Sequence, residues 1–286
     1  RFLEDLFTET KINFWEIDRQ HLRSNLLTLG AEAEYADYCK CISLSYNRAY
    51  DNSDICLIGD KNPIHTLFLN QLDSLFPNAK YIHLVRDYRD NALSHKLTFG
   101  ENNLKVQGYL WNHFVNEAEA FGRQNPDRCL RIHYEQLAKE PDTVLKAVSS
   151  FLNIDYVPDV LDFHKEGKER HKALEPLIEK VHPTLFRPIN ETAVKKWKTK
   201  LSEQDIVQLD QICHPLAGNL GYEPASSVSP KVYRFSWFRA TAQMKLVKFL
   251  YGISISKRIF LMQLLARIFR NPVNEFVKSR QSKGHA

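Results

Sequence analysis

Apolar positions recur at two spacings along the chain, and each change of spacing marks an element. Phe2, Leu3, Leu6 and Phe7 form a helical stripe, which Ile12, Phe14, Trp15 and Ile17 continue less regularly; a second helical stretch runs from Ala31 to Arg48. Asp54 to Ile58 then reads as a strand, ended by the turn Gly59-Asp60-Lys61-Asn62-Pro63. Pro63 suits the first turn of a helix, where its missing N–H is no loss. That helix, Ile64 to Phe76, offers Leu67, Phe68, Leu72 and Leu75 to a core. Ala79 to Val85 is the next strand, preceded by a Pro77-Asn78 turn. Asp87 and Asp90, three apart, open the helix that follows as an N-cap with an acid at its third position. Helical pattern continues to Gln124 with a break at Gly100 to Asn103, and Trp111, Phe114 and Phe121 are the core candidates. Cys129 to His133 is the third strand, and Pro141 starts a helix carrying Val144, Leu145, Val148, Phe151 and Leu152 on one face.

Strand and helix therefore alternate from Asp54 to Asn153. Such alternation predicts a parallel sheet covered by helices. Residues 156–190 are polar and Pro-punctuated, with Lys165, Lys168, Arg170, His171 and Lys172 clustered. Ser202 caps a helix that buries Ile206, Leu209 and Ile212 and stops near Gly221-Tyr222. Ser226 to Pro230 is a short linker. Beyond it, Tyr233, Phe235, Trp237, Phe238, Phe249 and Tyr251 interleave with Arg and Lys, and Ile259 to Phe269 is nearly all apolar. The expected organisation is an α/β domain over 1–225 and a basic helical tail over 226–286.

Charge sharpens that division. Residues 231–286 hold 12 Lys or Arg and one acid, Glu275, so the net +5 of the whole chain leaves −6 for residues 1–230. A mildly acidic body on a basic tail points away from nucleic acid and toward an anionic membrane surface for 231–286. Docking of the tail on the body or on a partner is the competing expectation. With 43% apolar and 26% charged residues the chain is ordinary globular protein. Its five cysteines are odd in number, no His/Cys group has metal-ligand spacing, and free thiols in a reducing, cytoplasmic compartment follow. No uncharged apolar run reaches 18 residues, so no span is expected.

The candidate chemistry lies where strands end. Arg86 closes the strand before Asp87, at the edge where open α/β sheets bind ligands and a helix N-terminus favours anions. Ser94 follows about two helical turns in. A guanidinium fork and a hydroxyl on one strand–helix unit can grip a phosphate from two sides. Lys61 occupies the corresponding end of the preceding strand, facing the same crevice.

These residues carry a resemblance. Arg86 and Ser94, eight apart at a strand–helix corner, resemble the 3′-phosphate motif of sulfotransferases that use 3′-phosphoadenosine 5′-phosphosulfate (PAPS). Lys61-Asn62-Pro63 resembles the family's Lys-Thr-Pro segment, with Asn62 in place of threonine. Tyr134-Glu135-Gln136-Leu137, then Pro141 and Phe151-Leu152, is similar to its Tyr-Glu-x-Leu segment. Trp197-Lys198 before a Leu201-Ser202 cap, ending in Leu220-Gly221-Tyr222, resembles the end of its domain. The resemblance implies a P-loop-like three-layer α/β sandwich with a parallel sheet, here with a basic helical appendage.

The implied activity is transfer of a sulfuryl group from PAPS to an acceptor hydroxyl or amine, on carbohydrate, protein, lipid or small alcohol, leaving 3′,5′-adenosine diphosphate. The family's roles then fall on Lys61 as the catalytic residue at the phosphosulfate and on Arg86, Ser94, Tyr134, Lys195 and Lys196 as donor-binding residues. No metal is implied. What the chain lacks is the family's opening phosphate loop of the Pro-Arg-Ser-Gly-Thr-Thr kind. On this reading the first strand, that loop and the general base stand ahead of residue 1 or have been lost. A non-catalytic, membrane-associated binding protein on the same scaffold is the alternative. His65 is the weaker candidate for a base.

Overall fold

The computed structural model describes residues 2–8, 17–45, 55, 57–165, 187–225 and 227–252. Ile12, Phe14, Trp15, the cluster Lys168, Arg170, His171 and Lys172, and the apolar run 259–269 lie outside the described residues. The chain divides into two compact units: Arg1–Asp54 with Lys245–Ala286, and Ile55–Met244.

In the first unit, the described residues of the N-terminal pattern form α1 (Phe2–Thr8), α2 (Arg19–Leu27) and α3 (Tyr35–Leu44). Asp18 caps α2 by accepting from the N–H groups of Gln20 and His21, both at 2.8 Å. Glu34 and Asp37 form a reciprocal capping box on α3.

The second unit is built on two parallel strands, β1 (Tyr81–Val85) and β2 (Cys129–His133), in register from Tyr81 opposite Cys129 to Val85 opposite His133. Ahead of β1 comes α4 (Leu69–Leu75, after a 3-10 turn at Pro63–Phe68), and between the strands run α5 (Tyr88–Phe99) and α6 (Leu104–Gln124). After β2 come α7 (Tyr134–Lys139), α8 (Pro141–Leu152), the short α9 (Trp197–Lys200), α10 (Glu203–Ala217) and α11 (Arg234–Gly252), whose last turns belong to the other unit.

Of the expected strand Asp54 to Ile58, Ile55, Leu57 and Ile58 are described, and none of the three lies in a strand. Residues 55 and 57–62 adopt no regular element, and Ile55, Leu57 and Ile58 are exposed. Among the described residues β2 is the neighbour of β1 on one edge, and no strand pairs with the other. The face of β1 carrying Ile82 and Leu84 is correspondingly 43% and 50% exposed.

The opposite face is packed on α6. Tyr81 meets Phe121 edge-on at 4.8 Å, and His83 Nδ1 lies 3.2 Å from Glu119. The main core joins Val85 to α5, α6 and α10 through Tyr88, Leu93, Trp111, Val115, Leu209 and Ile212. Gly108 lets α6 and α10 approach closely, since a Cβ there would stand 3.2 Å from Leu209 and 3.3 Å from Cys213 and Ile212. Trp111 and Phe121 are buried as expected, whereas Phe114 is only half-buried. Cys39, Cys41, Cys129 and Cys213 are free thiols.

The first turns of α11 pack on this body. Tyr233 donates its N–H to Tyr109 Oη and its hydroxyl to Gln211, Arg239 pairs with Glu101 at 3.0 Å, and Ser236, Ala240 and Met244 are buried. The outer side of the same helix leaves Phe235, Trp237 and Phe238 exposed. Among the described residues no helix is long and apolar enough to cross a membrane.

Candidate nucleotide site

Register places the two key side chains. Val85 and His133 are the last pair of the parallel ladder, so Arg86 and Tyr134 leave neighbouring strand ends together. The Arg86 guanidinium lies over the Tyr134 ring, 4.5 Å from its centre, a cation–π distance. Trp111 Nε1 donates to the Arg86 carbonyl at 2.9 Å, which fixes the corner onto α6. Arg86 Nη2 donates to Ala193 O at 2.7 Å. Its Nε is buried and has no partner among the described residues.

The helix that follows is capped in an unexpected way. The Asp87 side chain accepts from the Arg89 N–H at 2.8 Å, as an N-cap should. Asp90, however, does not reach back to the Asp87 N–H. Glu135, at the start of α7, accepts that N–H through Oε1 at 3.0 Å. Asp90 is thereby available to a distant segment: its two oxygens accept the N–H groups of Lys195 (2.7 Å) and Trp197 (2.9 Å). Burial pushes the Asp90 carboxyl above its ordinary range, opposed by the Trp197 N–H and the Arg86 charge.

Ser94 stands one helical turn beyond Asp90, on the same face of α5. It is half-buried, and its hydroxyl makes no hydrogen bond among the described residues. Lys195 and Lys196 are exposed on the turn that Asp90 holds, and Lys195 has a left-handed φ of 55°. Arg86, Tyr134, Asp90 and the 193–197 turn thus meet at one corner.

Lys61 does not join them. It is exposed in the irregular segment 57–62, and no hydrogen bond, ion pair or ring contact ties it to the corner among the described residues. The described residues of the run that was to present it, Ile55, Leu57 and Ile58, are not in a strand. His65 pairs with Asp60 at 3.4 Å and likewise stands apart. Arg187, near the start of the segment leading to the turn, is exposed.

Beside the corner is a cavity of about 330 Å³ lined by Asp87, Asp90, His133, Glu135, Lys195 and Tyr222. Tyr222 donates its hydroxyl to Glu135 Oε2 at 2.9 Å, and His133 Nδ1 lies 3.1 Å from the same hydroxyl. Burial, followed by the Arg131 charge, lowers the His133 pKa, while burial and Glu135 raise that of Tyr222. Asp87 is neutralised by a two-pronged bond from Arg89, at 3.0 and 2.8 Å. Arg89 in turn sits 4.0 Å from the Trp197 ring centre.

The carboxylates at this corner are therefore engaged by N–H and O–H donors. Among the described residues, the groups here with unused donor capacity include the Arg86 guanidinium, the Ser94 hydroxyl, the two lysines and the buried Trp197 Nε1. Glu135, Tyr222 and Trp197 were visible in the sequence only as parts of segments; nothing local says that an α7 glutamate caps α5.

A parallel strand pair ending in a stacked arginine, next to a helix N-terminus, defines an α/β protein with a cationic corner at its strand ends. Residues 4–159, more than half of the chain, match the model of the family described as "Sulfotransferase family". The chain belongs to the sulfotransferase family. Protein-tyrosine sulfotransferase A of Caenorhabditis elegans is 29% identical over 175 residues, 58% of this chain and 44% of that protein. Protein-tyrosine sulfotransferase 1 of Danio rerio is 30% identical over 173 residues, 58% of this chain and 48% of the relative. The chain thus spans about half the length of the curated relatives it matches. Among solved structures, the sulfotransferase domain from the Synechococcus PCC 7002 olefin synthase aligns with a TM-score of 0.53 at 21% identity, covering 74% of this chain and 73% of that one. At that identity the likeness speaks for the fold.

Proposed function

We propose that the Arg86 corner binds the ribose 3′-phosphate of PAPS and that the protein transfers the sulfuryl group to an acceptor hydroxyl. The observation that carries this is the Arg86 guanidinium: stacked on Tyr134, half-buried, with Nε unpartnered among the described residues and Ser94 on the adjoining helix face. A buried N–H without a partner is unfavourable, and a phosphate oxygen supplies the acceptor it lacks. The donor set of guanidinium, hydroxyl and ammonium fits a phosphate monoester, so the residues suit the nucleotide the family uses.

When bound, the donor supplies an activated sulfuryl group for in-line displacement by the acceptor oxygen. The chain's own residues hold and orient the nucleotide. Arg86 and Ser94 would grip the 3′-phosphate, Lys195 and Lys196 would add positive charge, and Tyr134 keeps the guanidinium flat at the strand end. Rigid placement of a donor is itself a large part of transfer catalysis. The edge of β1 that pairs with no strand among the described residues, with Ile82 and Leu84 exposed on one face, supports a further element adding alongside Arg86 to hold the phosphosulfate end. Lys61 has no part in the proposal, and no general base is assigned among the described residues.

The acceptor we favour is a protein tyrosine, on the strength of the names of the matched relatives. The experiment is transfer of labelled sulfuryl group from PAPS to a tyrosine-containing peptide. Label in the peptide supports the reading. Binding of 3′,5′-adenosine diphosphate without any transfer would restrict this chain to holding the donor.

For the basic tail we propose attachment to an anionic lipid surface. Its support is α11, where exposed Phe235, Trp237 and Phe238 interleave with Arg234 and Lys245, and no acid occurs between Glu223 and Glu275.

A further inference from the structure

We infer that Asp90 is the positioning residue that makes the site selective for a 3′-phosphorylated nucleotide, an inference that rests on the reading of Arg86 and Ser94 given above. Asp90 occupies the third position of α5, where an acid ordinarily reaches back to the N-cap N–H. Glu135 holds that N–H instead. Asp90 is 1% exposed, and both of its oxygens are spent on backbone donors 105 and 107 residues away, those of Lys195 and Trp197.

Those two bonds impose a shape. Lys195 has φ 55°, a left-handed conformation that a lysine adopts only where its surroundings over-determine it. The same turn is tied at its other end, where Arg86 donates to Ala193 O. Arg86 and Asp90, four residues apart, therefore hold the 193–197 turn at two points. The arginine that is to meet the phosphate and the lysine that borders the cavity are locked to one another through it. Asp90 faces Arg86, whose charge favours its ionised form, and Asp87, whose charge opposes it. Its negative charge is thus absorbed by two N–H groups and a guanidinium rather than presented to an incoming anion.

A purely structural Asp90 would support Trp197, which is 6% exposed, and nothing more. The two roles separate in a binding ratio. Titrate 3′,5′-adenosine diphosphate and 5′-AMP calorimetrically into the full wild-type chain and into Asp90→Asn, which keeps the shape but loses one acceptor. The expected result is a loss of about tenfold to a hundredfold in affinity for 3′,5′-adenosine diphosphate, with 5′-AMP nearly unchanged. Equal weakening of both nucleotides, or of neither, would overturn the positioning role. A wild type that does not distinguish the two nucleotides would instead overturn the site reading beneath it. If Asp90→Asn does not fold, amide hydrogen exchange in the wild type decides. Exchange at Lys195 and Trp197 should slow with 3′,5′-adenosine diphosphate and not with 5′-AMP, and an equal response to both would refute the inference.

Discussion

Arg86 lies with its guanidinium 4.5 Å from the centre of the Tyr134 ring because the two residues follow the last register pair of β1 and β2, Val85 and His133. The contact is written into the ladder. Strands in parallel register deliver residues at equal offsets to the same edge, and here that edge receives a cation and an aromatic face.

Replacing Tyr134 by alanine should release the guanidinium and weaken 3′,5′-adenosine diphosphate. A half-buried cation–π contact of about 1 kcal/mol corresponds to roughly fivefold in affinity. Tyr134→Phe keeps the ring and should bind like wild type. Titration calorimetry separates the two variants, and a phenylalanine variant as weak as the alanine one would mean that the hydroxyl, not the ring, matters.

Tyr88→Phe should lower global stability without touching the nucleotide. The Tyr88 hydroxyl donates to Asp210 at 2.6 Å, and the fully buried Asp210 would keep, among the described residues, the Ala225 N–H at 2.7 Å and Arg89 at 3.5 Å. Under-satisfying a buried carboxylate costs about 1–3 kcal/mol. The urea midpoint should fall at constant slope. An unshifted midpoint would show that Asp210 is fully served by its other partners.

Acidification from about pH 7 to about pH 5.5 should destabilise the fold through its histidines. Burial lowers the pKa of His83, His95 and His133; Glu119 opposes this at His83, and Arg131 reinforces it at His133. Below the ordinary value of 6.5 the unfolded chain takes up protons that the folded one declines, so stability falls with pH. The raised Asp90 carboxyl acts with the opposite sign, above 3.8, and leaves part of the loss uncompensated near neutrality. Thermal midpoints across this range should fall less steeply in His95→Gln. A slope identical to wild type would remove His95 from the account.

The outer face of α11 should give the full chain an affinity for vesicles containing phosphatidylserine. Replacing Phe235, Trp237 and Phe238 together by alanine should abolish cosedimentation at low salt, since these three are 76%, 51% and 66% exposed. Equal binding to phosphatidylcholine alone, or no binding to either, would argue against the lipid surface.

What the sequence disclosed follows from how local each signal is. Cys129 to His133 appears as the strand that was expected, because a short β-rich run bounded by turns needs only its immediate neighbours to be recognised. Pro141 and Ser202 start their helices as caps and first-turn residues do anywhere. Asp54 to Ile58 reads as a strand by the same pattern, yet a strand is completed by a partner, and pairing is not a local property. Lys61 was assigned through that strand, and the structure leaves it exposed in an irregular segment away from the Arg86 corner. Asp87 and Asp90 form a capping pattern whose second half is taken over by Glu135, 45 residues later in the chain. No spacing rule anticipates that exchange, nor the attachment of the 193–197 turn to Asp90. The corner itself was legible because Arg86 and Ser94 share one strand–helix unit; its supports were not, because they arrive from α7 and from the segment before α9.

The most direct test is calorimetric titration of 3′,5′-adenosine diphosphate into the wild-type chain and into Arg86→Ala and Ser94→Ala. The wild type should bind it more tightly than 5′-AMP. Arg86→Ala should lose about tenfold to a hundredfold, the worth of a charge-assisted hydrogen bond of roughly 1.5–3 kcal/mol, and Ser94→Ala a smaller factor. Affinities unchanged in both variants, or a wild type indifferent to the 3′-phosphate, would contradict the assignment of this corner.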